Sequence, residues 1–301
     1  MTRNSELGDF LRSSRARITP AEVGIDDNGR DDAVPSARRV AGLRREEVAR
    51  LAGVSADYYA KLEQGRTKQP STSVLSAIAS ALRLNDTERD YLLALVQPHP
   101  VAIRVADSAP QRVRPGARRL LENLDRSPAF IMGRGTAILA MNNLAKALFF
   151  DLDDRPPAYR NLAVWTFLDP DARHRYVDWQ SVAADNAALL RRDAASSPDD
   201  PELASIVGLL SVKSEEFRRV WSEHHVFECT YGRKMFAHPV AGRLDLDYET
   251  LELPGSPGQT LHVYSAAAGS PSDNALRILD RWTAEDASLS TIEQLPPTYS
   301  G

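Results

Sequence analysis

A single cysteine, Cys229, stands in the 301 residues, so no disulfide can close within the chain and no multi-cysteine zinc site can be built. With no histidine or acid at a telling position beside it, the lone thiol reads as packing. Long apolar runs are missing as well. No stretch approaches the roughly 18 to 20 apolar residues that span a bilayer, and the opening MTRNSELGDF has no apolar core of a secretion signal. A cytoplasmic protein with no membrane association is the expectation. Net positive charge is absent too: the formal balance is −4, and nothing in the whole-chain charge announces nucleic acid.

Signatures of catalysis are equally thin. Gly133-Arg134-Gly135 lacks the third glycine and the following helix of a dinucleotide fingerprint and reads as a hairpin turn. No serine sits in a Gly-x-Ser-x-Gly elbow. His224 and His225 are adjacent, so they point apart on helix or strand, and no His-Glu-x-x-His accompanies them; a solvated helix end is the expectation. Asp151, Asp153 and Asp154 lie in DLDDRPP, which has the look of a polar loop, and Asp245, Asp247 and Glu249 share one wet strand face. No enzyme activity, no cofactor and no metal are expected.

What is present is a globular composition, 43 % hydrophobic and 26 % charged, in a chain long enough for two domains. Charge is unevenly spread: residues 36–70 hold eight Lys or Arg against four acids, a basic patch on an acidic protein. Helical spacing of Leu7, Phe10, Leu11 and Ile18 predicts a first helix over 5–18, ended at Thr19-Pro20. A long loop rich in Asp, Gly and Pro follows to residue 42, and a second helix places Val48, Leu51 and Ala52 on one face. Gly53-Val54 breaks that run, and Ser55, a good N-cap, opens a third helix with Tyr59 and Leu62 inward. After Gly65, Val74, Leu75, Ile78, Ala79 and Leu82 define a fourth helix. A capping box of Asn85 and Glu88 opens a fifth, carrying Tyr91, Leu92 and Leu95.

These five helices make one all-α bundle over residues 1–97. The proline-bearing, aperiodic stretch 98–115 reads as a linker, and a second domain of α+β type spans 116–285, with a polar tail over 286–301. In this domain a helix near 117–123 precedes two apolar strands in PAFIMGRGTAILAMN, joined at Gly133-Arg134-Gly135. A helical middle runs to about His224, then come three more strands over 225–267 and a closing helix over 273–283. The expected sheet is small and antiparallel. Leu244, Leu246 and Tyr248 alternate with acids, but Leu251 and Leu253 have the opposite parity, which predicts a bulge near Glu249-Thr250.

Helix, tight turn and helix around Gly53 is the arrangement that sets one helix in the major groove while the other braces the backbone. With Tyr59 and Leu62 inward, Ala56, Asp57, Tyr58 and Lys61 are left on the face that would meet base edges, with Ser55 at its start. Arg44 and Arg45 on one side and Arg66 and Lys68 on the other suit phosphates, which give affinity without sequence information. Tyr58 at the edge is able to reach a phosphate or a thymine methyl. Asp57, an acid facing a polyanion, either caps its own helix or accepts from a cytosine amino group.

The stretch REEVARLAGVSADYYAKLEQGRTKQPS, through Ala52-Gly53-Val54-Ser55, Leu62-Glu63-Gln64-Gly65 and Pro70-Ser71, resembles the helix-turn-helix of the XRE family. The family's base-reading positions match Ala56, Asp57 and Lys61. Farther on, SPAFIMGRGTAILAMNNLAKALF, NLAVWTFLDPDAR, IVGLLSVKSEEF and LDLDYETLELPG resemble regulators with an MmyB-like C-terminal ligand-binding domain, over nearly the whole chain. The chain departs from that pattern at Asp26, Asp27, Asp31 and Asp32, an acidic loop where a shorter, more basic one is expected. The resemblance implies double-stranded operator DNA as partner, a PAS-like second domain, and a fatty-acid-like apolar ligand. Apolar candidates for its pocket are Phe130, Met132, Ile138, Met141, Phe149, Trp165, Phe167, Trp221 and Phe227, each of which could equally be ordinary core. A homodimer follows from the geometry of two half-sites. A second domain serving only dimerisation or partner binding, or a tethered enzyme, are the rival readings.

Overall fold

The computed structural model describes residues 3–25, 41–67, 70–96, 111–226 and 230–293, with side chains described between Ser5 and Thr283. The acidic loop residues Asp26 to Asp32, as well as Lys68, Phe227 and Cys229, lie outside the described residues. The chain divides into two compact units. One comprises Met1–Ser108, Arg191–Ala204 and Arg218–Glu228; the other Ala109–Leu190, Ser205–Phe217 and Cys229–Gly301.

In the first unit the five expected helices form: α1 (Arg3–Arg17), α2 (Arg45–Ala52), α3 (Ala56–Glu63), α4 (Thr72–Ala81) and α5 (Asp86–Val96). Their inward residues make one core, in which Phe10, Leu11, Val48, Tyr59, Leu62 and Ile78 have no exposure at all. Phe10 meets Tyr91 edge-on at 5.0 Å. Asn85 and Glu88 close the expected capping box, the Glu88 N–H donating to Asn85 Oδ1 at 2.8 Å and the Asn85 N–H to Glu88 Oε2 at 3.1 Å. One inward residue was misplaced by the spacing. Leu51 is 41 % exposed, and Ala49 takes its place beside Val48 and Ala52. Leu51 projects about 100° from the centre of the stripe those three define.

Charge also enters this core, and it comes from α1. Arg15 Nε donates to Glu63 at 2.7 Å and Arg17 Nη2 to Glu88 at 2.6 Å. Two later segments of the chain belong to the same unit and contribute Ala195 and Val226 to its core. Arg191, 2 % exposed, pairs with Glu6, donates to His224 Nδ1 at 3.0 Å and lies 4.1 Å over the Trp221 ring. His224 is therefore no solvated helix end. Its side chain is 11 % exposed, and its Nδ1 accepts rather than donates, so the ring is neutral. Burial first, and Arg191 second, hold its pKa below the ordinary histidine value.

The second unit is α+β. Strands β1 (Ala129–Met132), β2 (Ile138–Met141), β3 (Tyr231–His238), β4 (Gly242–Glu252) and β5 (Thr260–Ser265) form an antiparallel sheet in the order β2-β1-β5-β4-β3. The β1–β2 hairpin turns at Gly133-Arg134-Gly135, with Gly135 at φ 61° and Thr136 at φ 62°. The left-handed Thr136 is held by Asn161, whose Oδ1 accepts from its hydroxyl at 2.9 Å and whose Nδ2 donates to the Gly135 carbonyl at 2.7 Å. On one face α6 (Pro115–Glu122) packs Ala117 and Leu121 against Ala129, Ile131, Ala140 and Leu261. The other face carries rings in mutual contact, described below.

Between β2 and β3 run α7 (Asn143–Leu148), α8 (Leu162–Leu168), α9 (Pro170–Arg175), α10 (Trp179–Ser196), α11 (Pro201–Lys213) and α12 (Glu215–Ser222). The closing helix α13 spans Pro271–Glu293, longer than the expected 273–283. Ser270 Oγ caps it by accepting the Asp273 N–H at 3.1 Å, and the sequence offers no breaker until Pro296. The bulge expected in β4 is absent. Its register with both neighbours is unbroken, Thr250 stays on the inner face opposite His262, and Leu251 stays outward at 51 % exposure. The irregularity sits instead between Ile131 and Met132, where Leu139 is skipped. Among the described residues no helix is long and apolar enough to cross a membrane.

Candidate nucleic-acid interface and ligand groove

The turn between α2 and α3 is made by Gly53, whose φ of 67° lies where a side chain is strained, and its N–H closes on the Ala49 and Arg50 carbonyls. At α3, Ser55 Oγ accepts the Tyr58 N–H at 3.1 Å, so serine is the cap and Asp57 is not. Asp57 instead pairs with Lys61 one turn on, at 2.7 Å, with both side chains more than half exposed. Two of the three expected base-reading positions therefore hold each other's charge in the free protein. An exposed pair of this kind is worth only about 0.3 to 0.5 kcal/mol, so DNA can open it.

The opposite face of α3 is anchored by more than apolar packing. Glu63, with no side-chain exposure, accepts from Arg15 Nε at 2.7 Å and from Arg45 Nε at 2.5 Å. Arg15 also donates to the Leu43 carbonyl at 2.6 Å, which ties α1, α3 and the entry to α2 at one point. Tyr59, fully buried next to this cluster, has a hydroxyl without a hydrogen-bond partner. Burial and then Glu63 push its pKa up from the ordinary phenol value. At Gly8 the α1 backbone runs so close to α3 that an added Cβ would stand 2.3 Å from the Glu63 carbonyl oxygen.

Of the nine residues expected at DNA, the geometry brings Ala56, Asp57 and Lys61 to one exposed face of α3, with Ser55 exposed at its start and Tyr58 half-buried at its edge. Arg44 and Arg66 are exposed, and neither has an ion pair among the described residues. Arg50, which the sequence reading left out, is likewise exposed on α2 and without an ion pair among the described residues. Arg45 differs: its Nε is committed to Glu63, which leaves its position structural even at 41 % side-chain exposure.

The eight described apolar candidates do not form one pocket; Phe227, the ninth, lies outside the described residues. Phe130, Met132, Ile138 and Met141 share the inner sheet face through the pairs Phe130↔Met141 and Met132↔Ile138. Ile138 and Met141 have opposite parity, and it is the skipped Leu139 that lets both face inward. Phe130 meets Phe149 at 5.4 Å and Tyr264 at 6.2 Å; Phe149 meets Trp165 at 5.9 Å and Phe236 at 5.6 Å. Phe167 belongs to a different cluster with Trp179 and Phe217, and Trp221 is in the first unit under Arg191. His262, fully within the inner face and stacked on Phe130 at 4.8 Å, was not foreseen.

An open groove of about 940 Å³ lies beside this ring cluster, and of the eight described candidates only Phe149 lines it. Its wall includes Lys146, Arg155 and Arg175, the acids Asp151, Asp154 and Asp171, and His238. Lys146 binds Asp153 and Asp151, so two of the three DLDDRPP acids are held by a lysine, and among the described residues no cluster suited to a metal gathers.

A helical unit whose α3 is held on a buried ion cluster, followed by an α+β unit with a groove, is the arrangement expected of a DNA-binding regulator with a ligand-binding domain. Residues 6–92 match the model of a helix-turn-helix domain, and residues 113–279 match that of the MmyB-like transcription regulator ligand binding domain. The second match covers more than half of the chain, which belongs to that family. A search of curated proteins finds no match. Both matched families are regulatory rather than catalytic.

Proposed function

We propose that the protein is a sequence-specific transcriptional regulator of the XRE type, in which α3 reads operator DNA in the major groove and a PAS-like C-terminal domain senses a small molecule. The observation that carries the first part is the disposition of α3. Tyr59, Leu62 and Glu63 are buried, Ala56, Asp57 and Lys61 face solvent together, and Arg44, Arg50 and Arg66, without ion pairs among the described residues, flank them. Phosphates take the arginines and base edges take the helix. The antiparallel five-stranded sheet with its helical insertion between β2 and β3 supports the PAS-like reading.

The protein acts as a homodimer whose recognition helices stand about 34 Å apart on successive major grooves, and ligand changes that spacing. A small-molecule ligand of this domain uses the open groove. The inner face of the sheet is occupied by rings that touch one another, from Phe130 through Phe149 to Phe236.

Gel shift of the full chain on the promoter region beside its own gene tests the reading. Lys61→Ala alters sequence preference. Arg66→Ala weakens binding to all sequences and lowers the salt slope by about 1. If neither change affects binding, α3 is not the reading helix.

A further inference from the structure

Among the described residues, Arg175 is a groove cation of the second unit whose charge no carboxylate at contact distance neutralises. Lys146 is engaged by Asp151 and Asp153, and Arg155 by Asp169 at 2.5 Å. Arg175, at the end of α9, is different. Its Nη1 donates to the Ala147 carbonyl at 3.0 Å and to the Leu148 carbonyl at 2.8 Å, closing the last turn of α7. Those two bonds use both Nη1 hydrogens. Among the described residues Nε and Nη2 have no acceptor, and no carboxylate lies within ion-pair distance of this half-buried guanidinium.

The unused edge is the one that matters chemically. Nε–H and one Nη2–H of a guanidinium run parallel and match the two oxygens of a carboxylate. A partly buried charge left without a counter-charge is costly, and burial holds the Arg175 pKa below the ordinary guanidinium value, against the opposing pull of Asp171 and Asp169. His238 beside it is fixed as a neutral ring. Its Nδ1 accepts the Val240 and Ala241 N–H groups at 3.1 Å each, which leaves Nε2–H to donate to Ala147. Histidine therefore adds a hydrogen-bonded wall and no competing charge.

The rest of the groove narrows the ligand. Phe149, Phe150 and Trp282 supply aromatic wall, and Trp282 stands 6.5 Å from His238. Asp154 and Asp171 also line it, and two fixed carboxylates repel a dianion such as phosphate more than a monoanion. A long hydrocarbon chain laid along this wall would strip water from Lys146, Asp151 and Arg155, which a ring-sized group need not do. We propose that this groove is the ligand site of the domain, and that it takes a compact aromatic monocarboxylate whose carboxylate is held by the Nε/Nη2 edge of Arg175 between the Phe149, Phe150 and Trp282 rings. The proposal rests on the reading of residues 113–279 as a ligand-binding domain and puts this class in place of the fatty-acid-like ligand implied by resemblance.

Isothermal titration of the purified full chain with sodium benzoate, inorganic phosphate and sodium decanoate, at one ionic strength, tests it. Benzoate is expected to bind saturably at one site and more tightly than either of the others. Arg175→Lys keeps the charge but loses the paired donors and is expected to weaken benzoate about tenfold. Trp282→Ala, a change at a 40 % exposed residue, weakens it severalfold. Benzoate binding that neither variant changes overturns the site, and tighter binding of phosphate or decanoate overturns the ligand class. Decanoate that binds wild type and Arg175→Lys alike leaves the ligand-binding reading standing while removing the groove from it. No binding by any of the three, together with no small molecule released from the purified protein, removes both.

Discussion

Replacing Glu63 with glutamine separates scaffold from reading face. Glu63 has no side-chain exposure and accepts from two guanidinium groups, at 2.7 Å from Arg15 and 2.5 Å from Arg45. Removing its charge leaves those two cations with different fates. Arg45 is 41 % exposed and can turn to water, but Arg15 is 13 % exposed and tied to the Leu43 carbonyl. Breaking a buried pair by removing one partner costs about 3 to 5 kcal/mol; with one of the two arginines able to rehydrate, Glu63→Gln belongs near about 3 kcal/mol. Native-state hydrogen exchange on the full chain reads this locally, through the amides of Tyr59 and Leu62, without requiring the two units to unfold together. Gel shift on matched and scrambled operators should then show equal loss for both, because a loosened α3 is lost to every sequence. A fall in exchange protection of less than about 1 kcal/mol would refute the claim that this ion cluster holds the helix. A change in sequence preference like that expected for Lys61→Ala would refute its assignment as scaffold.

Three further outcomes follow from the same geometry. Gly8→Ala places a methyl 2.3 Å from the Glu63 carbonyl oxygen, so α1 and α3 must part; a loss of about 1 to 3 kcal/mol in the first unit is expected by hydrogen exchange, and wild-type protection would count against the close approach. Asp57→Asn frees Lys61 and removes an acid from the DNA face, so non-specific affinity should rise severalfold at low salt, with a steeper salt slope in filter binding; unchanged binding would mean the pair lies away from DNA. Acidification should destabilise both units, because buried His224 and His238 have pKa values lowered below the unfolded 6.5. The stability they give is complete above that value and is lost as pH falls from it through their folded values, at most about 1.4 kcal/mol per pH unit for each; denaturant midpoints at pH 7 and 5.5, with His238→Gln flattening the loss in the second unit, check the sign.

The features legible in the sequence are those fixed by local chemistry. Ser55 as a cap, Gly53 as a left-handed turn, and the Asn85–Glu88 box each depend on residues within one turn, and each stands as the spacing implies. Period-two alternation found β4, but parity alone misread Leu251: a leucine on the wet face looks the same in sequence as a strand that has shifted phase. The same limit hid the true irregularity. Ile138 and Met141 are three apart, and only the pairing with β1 reveals that a skipped Leu139 brings both to the inner face.

Long-range charge was the least legible feature, and the candidate sites depend on it most. Arg15 and Arg45 are as basic in sequence as Arg44 and Arg66, yet two of the four are spent on Glu63, 48 and 18 residues distant, and the other two stay exposed. Arg175 shows the converse. Its neighbours in sequence include Asp171 and Asp169, which reads as a locally balanced run, but Asp169 is taken by Arg155 and the Nη1 of Arg175 by the end of α7. What each cation has left to offer is decided by who else reaches the same carboxylate, a three-dimensional subtraction that no spacing rule performs. In this protein the subtraction leaves two kinds of uncommitted arginine. Exposed ones beside α3 suit a polyanion that must slide and exchange, and a half-buried one in the groove suits a single carboxylate held in one orientation.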